Sequence, residues 1–315
     1  MVYIDSDIVH EQLTMPAAIN LAKEAFKIKA NGHLIQPVRN IVNGGDFGLM
    51  GTMPVFISEG IYKGFGVKSV TVKFDQLNGA KPSHNGAVLI YSDDGTEFSV
   101  VDATAITEIR TAAASALATD ILAKSDAKSL AILGTGMQAR AHLKAMCEIR
   151  PIQNVHVWGR DIAKAEHFSR WGEQALGVDV VPCKTIEKTV GEADIICTTT
   201  AARESILFDH YIKDDVHINA IGASALGFRE LDSLLFKRAD LYTDCNESVL
   251  ASSQAIIDAV ECGYLSAPNI GTEIGDMIGV DWTRSDNHIT IFKSVGLAVQ
   301  DIVVAKSLLA QQVSA

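Results

Sequence analysis

The residues whose types and spacing most plainly serve chemistry are Gly134-Thr135-Gly136-Met137-Gln138-Ala139, at the end of the apolar run SLAIL (129–133). A G-x-G-x-x-A turn between a buried strand and a helix suits a dinucleotide. Gly134 makes the tight turn, Gly136 leaves room for a pyrophosphate, and Ala139 is small enough for helix to pack on strand. The helix start then offers backbone N–H groups and partial positive charge to the phosphates. Trp158-Gly159-Arg160 stands at the tip of a second strand, where an NAD-specific site needs a carboxylate for the adenosine ribose. Here Gly159 leaves space and Arg160 adds positive charge, which favours NADP(H), with NAD(H) still possible. Thr198 and Thr199 end another apolar strand and Gly222 and Ala223 end the next, so both tips open toward the crevice expected to take the nicotinamide half.

Lys68 signals a second kind of chemistry. In VKSVTVK (67–73) strand alternation sets Lys68 on one face with Val70 and Val72, opposite Val67, Ser69, Thr71 and Lys73. A single cation in an apolar row marks a pocket more than a solvated edge. His84, in KPSHNG, is a loop histidine that can serve as an acid or simply lie exposed. Ser224 lies in Gly222-Ala223-Ser224-Ala225-Leu226, which lacks the last glycine of a G-x-S-x-G nucleophile elbow and so gives little support to a serine hydrolase. The five cysteines form no C-x-x-C pair and leave one over, which suggests neither a disulfide framework nor a metal site.

These residues need two kinds of scaffold. Thr14 caps a predicted helix over 15–30, with Pro16 in its first turn and Gly32 as its stop. Residues 39–102 then read as short alternating runs between turn residues, an antiparallel sheet or partial barrel. An Ala-rich helix over 104–124 leads to the fingerprint strand. After it, strand and helix alternate: VHVW (155–158), a helix over 162–176 capped by Asp161, VDVVP (178–182), a helix over 185–190, ADIICTTT (193–200) and VHINAIGA (216–223). That order predicts a doubly wound parallel sheet. HITIFK (288–293) adds a strand, and a helix over 296–309 returns to the first domain. The expected domains are 1–117, completed by 294–315, and 118–293.

A net charge of −11, with no local Lys/Arg run, argues against a nucleic-acid partner. No apolar stretch reaches membrane-spanning length, and the N-terminus MVYIDSDIVHEQ carries acids where a signal peptide needs a basic patch. A cytoplasmic protein with no membrane partner is expected.

GVKSVTVKF with KPSHNGAVLIY, AITEIRTAAASALA and AILGTGMQARAHL, together with IGA, RELD and FKSVGLAVQD, resemble the ornithine cyclodeaminase/mu-crystallin family over roughly residues 35–305. The resemblance implies an NAD(P)-binding Rossmann domain and an α+β substrate-binding domain that pairs two subunits into a homodimer. It also implies a small imino- or amino-acid substrate. Arg39, Lys68 and Arg110 match the family's cationic positions, where Arg39 and Arg110 would hold the substrate carboxylate and Lys68 would orient the substrate and relay a proton. Ser83 stands where the family often has a substrate-touching Thr, with His84 beside it; Met53 belongs to a family motif near the pocket on the substrate side, and Ser294 and Gly296 to one on the cofactor side. The cyclodeaminases carry an Asp after the IGA-type turn, where this chain has Ser224, and a hydroxyl without a partner is no base at neutral pH. The resemblance is therefore to the imino-acid-reductase branch. The expected function is an NAD(P)H-dependent reductase of small α-imino acids, reversible as an amino-acid dehydrogenase. An ornithine cyclodeaminase and a non-catalytic NADPH-binding protein are the alternatives.

Overall fold

The computed structural model describes residues 1–73, 84–92 and 94–314, and the chain falls into two units, Met1–Ala114 with Gly296–Ala315, and Ser115–Val295. The chain runs through β1 (Tyr3–Ile4), α1 (Ser6–Gln12), α2 (Met15–Ala30), β2 (Leu34–Ile35), β3 (Asn40–Asn43), β4 (Leu49–Ile57), β5 (Gly64–Val72), β6 (His84–Tyr91), β7 (Phe98–Asp102) and α3 (Ala103–Leu122). It continues through β8 (Ser129–Leu133), α4 (Met137–Ile149), β9 (Asn154–Trp158), α5 (Ile162–Leu176), β10 (Val180–Cys183), α6 (Ile186–Val190), β11 (Ile195–Thr198) and β12 (Val216–Ala220). The last elements are β13 (Asp240–Thr243), α7 (Asn246–Ser252), α8 (Gln254–Glu261), β14 (Thr272–Glu273), β15 (Ile289–Lys293) and α9 (Ala298–Ser314).

In the first unit the strands lie in the order β1-β7-β6-β5-β4-β2, with β3 also paired to β4. Every pair is antiparallel except β1 with β7, which makes the sheet mixed. Alternation selects the inner face: Gly51, Met53, Val55 and Ile57 of β4 are buried while the residues between them are not. Helices α2 and α9 pack on each other, and α9 also packs on β4, β5 and β6. The approach is so close that a Cβ on Gly66 of β5 would lie 2.4 Å from Ile302 Cδ1. Gly66 is what lets α9 sit down on the sheet.

The second unit is a wholly parallel sheet in the order β10-β9-β8-β11-β12-β15-β13-β14. The order in which strands are added reverses between β8 and β11, the topological switch point of a doubly wound fold. Central strands buried on both faces read as unbroken apolar runs, as in SLAIL of β8. Asp161 caps α5, accepting from the Ala163 amide, and Gly177 ends it at φ 67. The sequence reading names no element between 224 and 287, yet β13, α7, α8 and β14 lie there. Each has eight residues or fewer, too short to develop a period.

Two histidines are sealed in this unit. His142 donates from Nδ1 to the Gln138 carbonyl (2.7 Å) and accepts at Nε2 from the Ser115 hydroxyl (2.9 Å). His217 lies between Thr290 Oγ1 (2.9 Å) and Asn219 Oδ1 (3.3 Å). Burial pushes His142 down to about 4, and burial with the nearby Arg284 charge pushes His217 down to about 3. The unfolded chain therefore takes up these protons first, near the ordinary histidine value of 6.5. Their contribution to stability is complete above that pH and is lost as pH falls through the window below it. Between pH 7 and pH 5 each histidine is expected to cost about 2 kcal/mol, read as a falling urea midpoint. A midpoint that stays level over that interval would contradict the sealed, neutral assignment.

Candidate active site

The first unit gathers three cations around one carboxylate. Lys68 is 3% exposed on β5, in register between Met53 of β4 and Val88 of β6, both buried apolar residues. Its ammonium donates to Asp301 Oδ1 (2.7 Å) and to Thr107 Oγ1 (2.6 Å). The Thr107 hydroxyl itself donates to the Ala103 carbonyl, which fixes it as an acceptor for Lys68. One turn on, Arg110 shares that face of α3. Arg110 Nε donates to the same Asp301 Oδ1 (3.1 Å), and NH1 donates to Gln300 Oε1 (3.2 Å). Arg39, half-buried before β3, donates from NH2 to the Gly296 carbonyl (2.9 Å).

Asp301 lies in the first turn of α9, where the helix dipole favours an anion, and it is fully buried. It offers one negative charge to Lys68 and Arg110 together, with Arg39 adding a third positive charge close enough to depress the lysine. Burial, which disfavours the ammonium, is the largest influence on Lys68; Asp301 opposes it, Arg110 and Arg39 reinforce it, and the result is pulled down to about 8. A buried cluster with surplus positive charge is costly unless an anion joins it. Asp301 and Gln300 occupy Nε and one N–H of Arg110, and a Cβ on Gly296 would stand 2.9 and 3.0 Å from NH1 and NH2. Only a residue without a side chain can lie so close to the outer edge of the guanidinium, and Gly296, at φ 84, does; that is the edge that grips a carboxylate with two parallel hydrogen bonds. Asp301 Oδ2 and Gln300 Nε2 are buried and have no partner among the described residues, an acceptor and a donor in the same surroundings.

The second unit carries the glycine turn at the C-terminal ends of β8 and β11. Gly134 has φ 123, and a Cβ there would lie 2.5 Å from Thr199 Oγ1, so only glycine lets these loops meet. The Thr199 hydroxyl donates to the Leu133 carbonyl (3.0 Å). Gly136 is the N-cap of α4 without a side-chain cap bond, and a Cβ there would meet nothing within 4 Å. The start of α4 is thus open at a backbone position that carries no side chain, which fits a pyrophosphate. Ala139 is fully buried under this turn, while Met137 is 40% exposed and Gln138 is partly exposed beside it. Thr135 packs toward Gly159, where a Cβ would come within 2.8 Å of Thr135 Cγ2. Arg160 is exposed and pairs with no carboxylate among the described residues.

The other expected residues are distributed as follows. Thr198, Gly222, Ala223 and Ser224 lie at the tips of β11 and β12, with the Thr198 hydroxyl turned inward to Glu230 (2.8 Å) and Ser224 half-buried. Ser294 is buried and donates to Asp244 Oδ2 (2.7 Å). Gly296, expected on the cofactor side, belongs to the first unit, against Arg39 and Arg110. Ser83 lies outside the described residues, and His84 begins β6. The sequence reading did not single out Asp301, Gln300, Thr107 or Glu230, although VQD, RELD and the Thr107/Arg110 spacing carried them in plain view.

The profile of the ornithine cyclodeaminase/mu-crystallin family matches residues 1–314. The chain belongs to that family. Among its relatives, the ketimine reductase mu-crystallin of Rattus norvegicus is 34% identical, over 96% of this chain and 95% of its own length. The solved structure of the Delta(1)-pyrroline-2-carboxylate reductase of Thermococcus litoralis, in complex with NADH and L-proline, superposes with a TM-score of 0.94 at 30% identity, covering 100% of this chain and 98% of that one. An archaeal alanine dehydrogenase dimer with bound NAD gives a TM-score of 0.91 at 28% identity, over 100% and 96% of the two chains. The doubly wound sheet with an appended mixed-sheet unit is thus the family's fold.

Proposed function

We propose that this member of the ornithine cyclodeaminase/mu-crystallin family is an NAD(P)H-dependent reductase of small α-imino acids that runs reversibly as an amino-acid dehydrogenase. The observation that carries the reading is the buried Lys68–Asp301–Arg110 cluster, in which two cations share one carboxylate and the outer edge of the Arg110 guanidinium lies against the side-chain-free Gly296. Arg110 takes the substrate carboxylate on that edge, and Arg39 adds charge from the Gly296 side. Lys68, held by Asp301 and Thr107, hydrogen-bonds the nitrogen side and holds the proton that the imine nitrogen needs. A reduced nicotinamide, when bound, supplies a hydride to the imine carbon. The protein's share is orientation and a preorganised positive field. The Gly134–Ala139 turn, with Gly159 and Arg160, holds the dinucleotide. Ser224 in place of an Asp speaks against cyclodeaminase chemistry.

The pairing of two subunits fits the outer face of the first unit's sheet. Ile35, Val42 and Phe65 are 67%, 57% and 62% exposed, and a groove of about 730 Å³ runs past Phe56, Phe65 and Tyr91. A second copy covering this apolar face would give a homodimer.

The test is loss of nicotinamide absorbance when the protein meets NADPH or NADH with a panel of cyclic and acyclic α-imino acids. Rapid oxidation with one imine is the expected result. Bound cofactor with no oxidation by any of them would replace this reading with a binding protein. Arg160 carries the preference for NADP(H), so Arg160→Ser is expected to lower kcat/KM for NADPH by about 10- to 100-fold while changing NADH less than about threefold. Equal losses for both cofactors would remove Arg160 from the 2′-phosphate site.

A further inference from the structure

Glu230 is a heavily engaged buried carboxylate at the strand tips of the second unit. It is 1% exposed, and its two oxygens accept four hydrogen bonds. Oε1 takes the Thr200 amide (2.5 Å) and the Thr200 hydroxyl (2.8 Å), and Oε2 takes the Thr198 hydroxyl (2.8 Å) and the Ala223 amide (3.1 Å). One side chain thereby ties the tip of β11 to the tip of β12. Lys293, also buried, at the end of β15, holds the other side of the same residue. Its ammonium donates to the Ala223 carbonyl (2.5 Å) and to the Ala220 carbonyl (3.1 Å). The peptide groups on both sides of Ala223 are thus gripped by opposite charges immediately before Ser224.

The glycine between them shows how tight the arrangement is. A Cβ on Gly222 would fall 2.2 Å from the Thr200 carbonyl oxygen, 2.3 Å from the Thr200 nitrogen and 2.6 Å from Glu230 Oε1. Thr199, between the two threonines that Glu230 holds, is the residue against which Gly134 turns. The Glu230 contacts therefore begin at the switch point, where ligands of doubly wound sheets bind beyond the strand ends. A core built for stability alone gains little from burying a carboxylate and an ammonium at strand tips, since each must be desolvated.

We infer that Glu230, with Lys293, is a positioning pair that sets the loops 198–200 and 222–224 as the wall for the nicotinamide half of the dinucleotide, independently of the turn that holds the phosphates. The inference rests on the nicotinamide cofactor of the proposed function. It separates the two halves of the ligand: the adenine and pyrophosphate side depends on Gly134 to Ala139, the nicotinamide side on Glu230.

The experiment compares NADH with ADP-ribose, which lacks the nicotinamide, on wild type and on Glu230→Gln, by calorimetric titration. Glutamine keeps the size but has one acceptor oxygen where the network needs two. The expected result is a Kd for NADH raised about tenfold or more, with the Kd for ADP-ribose within about twofold of wild type. A fold-wide role would weaken both ligands alike, and no role would leave both unchanged; either result overturns the inference. Thr198→Val removes a single hydroxyl from the network and serves if Glu230→Gln does not fold. It is expected to weaken NADH about threefold with ADP-ribose unaffected, and an unaltered NADH affinity would equally overturn the inference. Wild type that binds ADP-ribose but shows no added affinity for NADH would overturn the inference while leaving the dinucleotide turn in place. Wild type that binds neither would overturn the cofactor reading itself, and the inference with it.

Discussion

Lys68→Met is expected to lower kcat/KM for imine reduction by about 1,000-fold while the cofactor Kd stays within about twofold. Methionine keeps the length and apolar stem of lysine but removes the ammonium that Asp301 and Thr107 hold. Both the charge near the substrate and the proton donor at its nitrogen disappear, while the glycine turn of the second unit is untouched. The pH profile supplies an independent check. With Lys68 pulled down to about 8, a requirement for its charged form makes kcat/KM fall as pH rises through that value. Below it the ammonium is present and the rate is level with respect to this group. The variant lacks the alkaline limb. Steady-state kinetics from pH 6 to 10 on both proteins would read all of this, and an alkaline limb that survives in Lys68→Met would assign it to another group. Equal loss of cofactor affinity would mean that Lys68 had been misplaced in the site.

The second large effect separates two glycines of one fingerprint. Gly136→Val is expected to weaken the dinucleotide by about 100-fold or more while shifting the melting temperature by no more than about 2 °C. Gly136 has φ −84 and ψ −167, an extended conformation open to any residue, and its missing Cβ points at nothing in the protein. Its absence of a side chain serves only a ligand at the start of α4. Gly134→Ala behaves differently: φ 123 and the 2.5 Å approach to Thr199 make it a folding defect first. Thermal unfolding beside cofactor titration of both variants distinguishes them. A Gly136→Val protein that binds normally would place the phosphates elsewhere.

Much of this was legible in the chain because it is local. A cap such as Thr14 or Asp161 acts within three residues, the strand period sets Lys68 on the inner face, and the G-x-G-x-x-A turn is contained in six residues. The doubly wound order followed from strands alternating with helices. What required the tertiary structure is the electrostatics. Asp301 meets Lys68 across 233 residues and Arg110 across 191, and no spacing in the sequence links a carboxylate on the last helix to a lysine on an early strand. Its motif was visible, but its role was not. Glu230 is the same case on a shorter scale, since four donors from two strand tips converge on it only once the sheet has formed. The placement of Gly296 against Arg39 and Arg110 was likewise decided by packing within the first unit. Sequence thus determined the elements and the types of chemistry available, because propensity, period and turn geometry act over a few residues. Which charges share a buried environment was decided by packing, because Coulomb and desolvation terms depend on distance in space and not on separation along the chain.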